Sequence, residues 1–553
     1  MKMLESFRPG FFALFTIFFC LLSQIDNSKS VYASTHRDGY RGWSTWSLQA
    51  YKGTGYGFDW ANEKNVKAQA DVMASEFSAL GYDRINIDSG WGDAVLDRFG
   101  RMQLDHKKYP SGIESLSRYL SGKGLKLGLY YLPGIDSRAV RSKSRVLATN
   151  FTANEIVKCA GIQMSSQKTN VSSCHRPYAN AFKAGYALNY SHPGAQAYVD
   201  SIVDQLYSWN VSFVKLDGNV PGSSIESSDK DFKACNTSPD LLAWRSAIDR
   251  LHKSEWRNKG RERIWLTTSW ALPPSEAEIL RETVDAWRVA IDIESYGKEM
   301  TTFDRVIRNA RAAARWTSVE KNRGPGLLDM DSIVIANMTI EECRSMITIW
   351  ALTGTPFYLG DDLKRLPKER KALMQNPAVL EIQRLSSRNP AKLIGYQDST
   401  EKSNIFETSV VDSSDEDLEG LCQKAIFIQS TLHSPQSDPC GSWTDRRKLT
   451  SAENSLSAAA TKEWQRQVWY AEHLETKQIF IGLVNAGRQI STDVAQDITI
   501  NLADIATFKV LKKDTYFVKD VWNLEREIHI QSNHIITLNL AVHESALLIL
   551  SKN

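Results

Sequence analysis

A (β/α)8 barrel followed by an all-β antiparallel sandwich is the fold this sequence predicts, and three observations predict it. Between residues 40 and 375, eight short β-rich stretches alternate with stretches of helical periodicity, the pattern of a parallel sheet closed by crossover helices. Three of those strands run on into a carboxylate, at Asp88, Asp217 and Asp292. Beyond residue 390 the texture changes to short β-rich runs parted by turn residues, which reads as a sandwich. A doubly wound sheet is the competing α/β fold, but no GxGxxG follows the first strand. The turn Gly53-Thr-Gly-Tyr-Gly57 stands alone and comes too late to cradle a phosphate.

Taken in order, Lys2 and Arg8 precede an apolar run, Phe11 to Leu22, and Val31-Tyr-Ala33 offers small residues for cleavage. Residues 1–33 therefore read as a secretory signal peptide, too short in its apolar part for an ordinary membrane span. Secretion is expected, with a lysosome or vacuole as the other destination, and no membrane association after cleavage. The barrel is assigned to 34–390 and the sandwich to 391–553. The first strand begins at Tyr40, and Asn62 caps a helix to Leu80 with Val66, Ala70, Met73 and Phe77 on one face. Arg84 to Asp88 is the second strand. Ser111 and Glu114 have the spacing of a capping box for the next helix, and Leu125 to Tyr131 is the third strand.

Residues 141 to 190 form a long excursion over the barrel mouth. Pro193-Gly194 opens a helix, the strand Phe213 to Leu216 leads into Asp217, and Ser238-Pro239 caps a helix to Lys253. Ile264 to Thr268 is the fifth strand and Ala286 to Asp292 the sixth. The seventh lies within Gly324 to Asp331. Thr339 and Glu342 make a second capping box, and Thr355 to Gly360 is the eighth strand.

A net charge of +3, from 67 basic and 64 acidic residues, gives no reason to expect nucleic acid or an anionic membrane as partner. Sixteen Trp and nineteen Tyr supply flat apolar faces that pack cores and also stack on sugar rings. Six cysteines follow the leader. Pairs 159/174 and 422/440 are close enough in sequence for disulfides, which leaves Cys235 with Cys343. Six Asn-x-Ser/Thr triplets, at Asn150, Asn170, Asn189, Asn210, Asn236 and Asn337, could carry glycans in a secreted chain.

Strand C-termini of a barrel converge on one face, so Asp88, Asp217 and Asp292 are expected to meet there. Trp46, Tyr130, Lys215 and Arg288 lie on or just beyond the same strand ends. Two carboxylates with aromatic and cationic neighbours suit glycoside hydrolysis. Clustered aspartates can also hold a metal, but no His stands at those ends and Lys215 and Arg288 would repel a cation. Neither metal nor cofactor is expected, and the partner is a carbohydrate.

Over nearly all of the mature chain the sequence resembles glycoside hydrolase family 27, the α-galactosidases and α-N-acetylgalactosaminidases. Gly42-Trp-Ser-Thr-Trp46 resembles the family's GWNSW, Asn86-Ile-Asp-Ser-Gly-Trp91 its NIDDCW, and Asp329-Met-Asp331 its DPD. Val214-Lys-Leu-Asp217 resembles the strand bearing the nucleophile, and Trp287-Arg-Val-Ala-Ile-Asp292 the strand bearing the acid/base. Val468-Trp469, Asp520-Val-Trp522 and His543 resemble the family's C-terminal domain. The resemblance implies a retaining mechanism with Asp217 as nucleophile, kept ionised by Lys215, and Asp292 as a general acid that holds its proton before the first step. It places Trp46, Asp88, Tyr130, Lys215 and Arg288 around the sugar.

The departures bear on the sugar. Ser89 stands where galactosidases carry a second aspartate for the O4/O6 edge. Ser269 stands where they carry a Glu near the 2-position, with Leu272 three residues on. Ser269 is similar to the α-N-acetylgalactosaminidase branch. The expectation is an α-galactosidase most simply, with α-N-acetylgalactosaminidase, β-L-arabinopyranosidase, isomaltose-releasing dextran hydrolase, or a non-catalytic carbohydrate-binding protein as alternatives. Oligomeric state is left open.

Overall fold

The computed structural model of the chain describes residues 38–159, 176–221, 236–254, 261–269, 271–318, 327–395, 466–473, 476–487, 495–504, 516–531 and 534–552. The expected leader and Cys174, Cys235, Cys422 and Cys440 lie outside them. Eight parallel strands make one sheet: β1 (Arg41–Ser44), β2 (Tyr82–Ile87), β3 (Lys126–Tyr131), β4 (Val211–Leu216), β5 (Trp265–Thr268), β6 (Ala286–Arg288), β7 (Leu327–Asp329) and β8 (Phe357–Leu359). Their order is β8-β1-β2-β3-β4-β5-β6-β7, so each strand lies beside its successor. A parallel bridge between Ile333, just past β7, and Leu359 joins the two edges. Ile333 N–H donates to the Tyr358 carbonyl at 2.8 Å and Gly360 N–H to that of Ile333 at 3.0 Å. The barrel fold is the one the alternation predicts.

The crossover helices bury apolar faces on the sheet. Helix α1 (Glu63–Val72) starts where expected, at Asn62, whose side chain accepts from Asn65 N–H. It then loosens into a π turn at Met73–Phe77 and a 3-10 turn at Ser78–Leu80, ended by left-handed Gly81. Helix α2 (Ile113–Ser121) corrects an expectation, because Gly112 occupies the cap position and Ser111 caps nothing. Ser111 instead gives its N–H (2.9 Å) and hydroxyl (2.6 Å) to Glu63, a carboxylate buried at the start of α1. The buried charge has the greater need of donors. Helices α3 (Pro193–Ser208) and α4 (Ser238–Lys253) carry their prolines in the first turn, with His192 and Thr237, not Ser238, at the caps. Helices α5 (Ala277–Thr283) and α6 (Phe303–Ser318) follow. Helix α7 (Ile340–Thr353) has the complete capping box of Thr339 and Glu342. Cys343 in α7 is a free, buried thiol, so the pairing left over for Cys235 is wrong; Cys159 is disulfide-bonded.

Gly42 of β1 shows how tightly the barrel closes. A methyl group there would lie 2.5 Å from the Arg84 carbonyl oxygen and 2.9 Å from the Arg84 Cβ, on the strand that Gly42 pairs with. Backbone cannot yield as a side-chain tip does. Gly42→Ala is therefore expected to cost about 1–3 kcal/mol, read as a lower urea midpoint. An unchanged midpoint would mean that β1 and β2 can part freely.

The C-terminal part holds two antiparallel sheets. Strands β9 (Lys392–Gly395), β10 (Arg466–His473), β11 (Gln478–Asn485), β13 (Tyr516–Asp520) and β15 (Ser545–Lys552) form one, in the order β9-β10-β11-β15-β13. Strands β12 (Gln496–Asn501) and β14 (Ile535–Leu540) form the other. Alternation along β11 and β15 splits their side chains between two cores. Ile479, Ile481, Leu548 and Leu550 face Ile498, Ile500 and Ile536 of the second sheet. Phe480, Val484 and Leu547, with Trp469, join the core of the barrel. Trp522 Nε1 donates to Thr348 Oγ1 (2.7 Å), Ser345 Oγ to the His543 carbonyl (2.6 Å), and His543 Nδ1 lies 2.8 Å from Glu342 Oε1. Trp522 and His543 thus fasten the sandwich to α7.

Candidate active site

Because the strands are parallel, the residues that follow them gather on one face. Asp88 directly follows β2, Asp217 β4 and Ser269 β5, while Lys215 is the penultimate residue of β4 and Arg288 the last of β6. Asp292 lies four residues past β6 and Asp331 two past β7. The strand expected to reach Asp292 ends early, so a loop rather than a strand aims that carboxylate. Trp46 opens a short helix, Trp46–Ala50, immediately after β1. Trp46, Asp88, Tyr130, Lys215 and Asp331 line one cavity, which runs inward to Tyr40 and Phe213 in the barrel interior.

Asp217 is buried, and its Oδ1 accepts from Gly218 N–H at 2.8 Å and from the Ser269 hydroxyl. Tyr130 is also hydrogen-bonded to Asp217. Lys215 Nζ makes its close contact elsewhere, 2.8 Å from Asp88 Oδ2. The other oxygen of Asp88 accepts from Ser89 N–H at 2.8 Å, and the Ser89 carbonyl accepts from Gln49 Nε2 at 2.7 Å. Ser89 is buried and does not line that cavity.

Asp292, like Asp217, has three donors. Arg288 Nη2 lies 2.9 Å from its Oδ1 and 2.7 Å from Asp331 Oδ2, so one guanidinium spans two carboxylates. Trp46 Nε1 donates to Asp292 Oδ2 at 3.1 Å, and the Tyr296 hydroxyl donates to the same oxygen. Beneath them Glu294 is fully buried, its Oε1 accepting from Ser47 (2.5 Å) and Ser332 (3.0 Å). Oxygens of Asp292, Glu294 and Asp331 come within 4.8 Å of one another, a spacing that could hold a cation. Arg288 already supplies positive charge there, and burial, Asp331 and Asp292 together push the Glu294 carboxyl up to about 8. A protonated Glu and an embedded guanidinium make a poor cation cage.

The resting electrostatics run opposite to the expectation from sequence. Burial raises the Asp217 carboxyl above its ordinary range; Lys215 opposes this, Asp292 adds to it, and burial prevails. Burial also disfavours charge on Asp292, but Arg288, then Lys215 and the Tyr296 hydrogen bond, outweigh it and hold that carboxyl below its ordinary range. Without substrate, then, Asp292 is the better stabilised anion. The reason is geometric, since Lys215 is drawn to Asp88 while Arg288 faces Asp292. Ser269, expected near the sugar's 2-position, spends its hydroxyl on Asp217. Tyr296 and Glu294 were not singled out from sequence. Glu294 shares the DIE run with Asp292, but no periodicity marks a loop tyrosine.

The sequence matches the profile of the Melibiase_2 family, described as alpha galactosidase A, over residues 58–144 and 178–384. The chain belongs to this family. It is a family of glycoside hydrolases, and the match covers β2 through the helix after β8, where every carboxylate of the site is found. Relatives include alpha-galactosidase 2 of Arabidopsis thaliana, 26% identical over 58% of this chain and 62% of its own. Alpha-galactosidase A of Cellvibrio japonicus is 25% identical over 66% of this chain and 71% of its own. The chain thus spans about two thirds of the length of these relatives. The fold is similar to that of a GH27 β-L-arabinopyranosidase from Geobacillus stearothermophilus, with TM-score 0.63, 18% identity, and coverage of 93% of this chain and 96% of that one. The fold shared with that structure therefore extends past the profile match and takes in the sandwich.

Proposed function

We propose that this melibiase-family chain is a secreted, retaining exo-glycosidase that removes terminal α-galactosyl residues by double displacement. The observation that carries the reading is the pair Asp217 and Asp292, held on one barrel face by unlike partners. In the first step an Asp217 oxygen attacks the anomeric carbon, the glycosidic bond breaks, and the departing oxygen takes the proton of Asp292. In the second, Asp292 takes a proton from water as that water displaces Asp217. Lys215 and Arg288 offset the negative charge that three aspartates would otherwise accumulate. Trp46 and Tyr130 flank the cavity as aromatics suited to a sugar ring, and Asp88 supplies acceptors for its hydroxyls.

The proton and charge required for the first step are redistributed from the resting state. A sugar that occupies the cavity and engages Lys215 and Asp88 would change the fields on both carboxylates. The test is a panel of aryl glycosides (α-galactoside, N-acetyl-α-galactosaminide, β-L-arabinopyranoside and α-glucoside) beside dextran. The α-galactoside is expected to be the best substrate, with the anomeric configuration retained in the first-formed product. Faster turnover of another sugar would replace the specificity, inversion would remove the double displacement, and binding without turnover would favour a lectin-like protein.

A further inference from the structure

We propose that Tyr296 is the positioning residue through which Asp292 changes its protonation state; this rests on Asp292 being the acid/base in the reaction above. Each oxygen of the Asp292 carboxylate faces a donor, with Arg288 Nη2 on Oδ1 and both Trp46 Nε1 and the Tyr296 hydroxyl on Oδ2. An indole N–H and a guanidinium can only donate. A protonated Asp292 that met those two alone would set O–H against N–H with no acceptor. A phenolic hydroxyl can turn, donating to the carboxylate and accepting from the carboxylic acid. Among the described residues hydrogen-bonded to Oδ2, Tyr296 has this capacity and Trp46 does not.

The placement of Tyr296 is held against its own preference. Its backbone has φ 55°, the left-handed region that bulky residues avoid. The loop is tied down on both sides, by Lys52 N–H to the Gly297 carbonyl at 3.0 Å and Ser295 N–H to the Met300 carbonyl at 2.8 Å. The Tyr296 ring stands edge-on to Trp46, 6.3 Å between centroids, and Trp46 Nε1 also reaches the phenolic oxygen at 3.3 Å. Indole, hydroxyl and carboxylate therefore form a closed triangle.

Other charges act on Asp292 without sharing this property. Lys215 and Asp217 face it from β4, Arg288 from β6, Glu294 from its own loop and Asp331 from beyond β7. Arg305 and Arg308 of α6 reach its main-chain carbonyl instead. They set the field in which Asp292 titrates, whereas Tyr296 changes sides with the proton.

The test is the pH profile of kcat, which reports the substrate-bound state, for Tyr296→Phe on phenyl α-galactoside, whose poor leaving group needs the acid. Activity requires protonated Asp292 and falls as pH rises through its pKa. Removing a donor to the charged form raises that pKa, so the alkaline limb is expected to move up by about one pH unit. Tyr296→Gly suits the left-handed backbone and should give the same shift, which keeps the test open if the Phe variant misfolds. An alkaline limb that superimposes on wild type in a folded variant overturns the proposal. Asp292→Ala separates the two readings. Wild-type turnover of phenyl α-galactoside by that variant removes the acid/base role, and the Tyr296 proposal with it. Loss on that substrate with activity kept on a dinitrophenyl α-galactoside upholds the acid/base role, and the Tyr296 profile then decides alone.

Discussion

Asp217→Asn is expected to lower kcat on aryl α-galactosides by on the order of 10⁴-fold or more while leaving the protein folded. The amide matches the carboxylate in size and keeps an oxygen to accept from Gly218 N–H and Ser269, so the local geometry survives. It cannot form the glycosyl ester. Burial already opposes charge at this position, so the neutral side chain removes a desolvation cost, and thermal stability should hold or rise. Turnover by the variant close to wild type would remove Asp217 as nucleophile. Lost activity together with a lowered melting temperature would point to structural damage instead.

Replacing Arg288 with Met is expected to cost about 3–5 kcal/mol of stability and most of the activity. The guanidinium is only 2% exposed, and it lies within 3 Å of both Asp292 and Asp331, with Asp329 adding to the negative field. Methionine fills a similar volume but leaves two inward-facing carboxylates without their cation. Lysine would keep the charge but ends in a compact ammonium on a flexible stem, without the planar head that brings Nη2 to both carboxylates, so Arg288→Lys should recover only part of the loss. Denaturant midpoints for the three proteins would rank wild type, Lys, Met. A Met variant as stable as wild type would show that the ion triad contributes nothing to the fold.

The barrel and the positions of Asp88, Asp217 and Ser269 were legible because each of these residues directly follows a β-rich run, where an apolar stretch gives way to a polar residue. Asp292 was legible as a candidate but not in its surroundings. The expected sixth strand stops at Arg288, and the four residues after it swing the carboxylate onto Trp46 from the opposite side of the sheet order. Tyr296, a loop residue with positive φ, carries no periodic signal in the sequence. Ser111 misled because a capping box is a local pattern, and the buried carboxylate of Glu63, 48 residues earlier, competed for the same donor. Spacing along the chain does not reveal that Cys343 is a thiol buried in a helix.

The sequence by itself determined the order of strands and helices, and through it the parallel sheet whose C-terminal ends hold three aspartates, a lysine and an arginine. That follows because periodicity and turn chemistry act over a few residues along the chain. Only the tertiary structure decided which cation meets which carboxylate. Lys215 turns to Asp88 and Arg288 bridges Asp292 to Asp331, while Ser269 caps Asp217 and Tyr296 caps Asp292. Hydrogen bonds and desolvation depend on separations of about 3 Å between groups far apart in sequence, so the resting charge of each carboxylate emerges only once the barrel has closed.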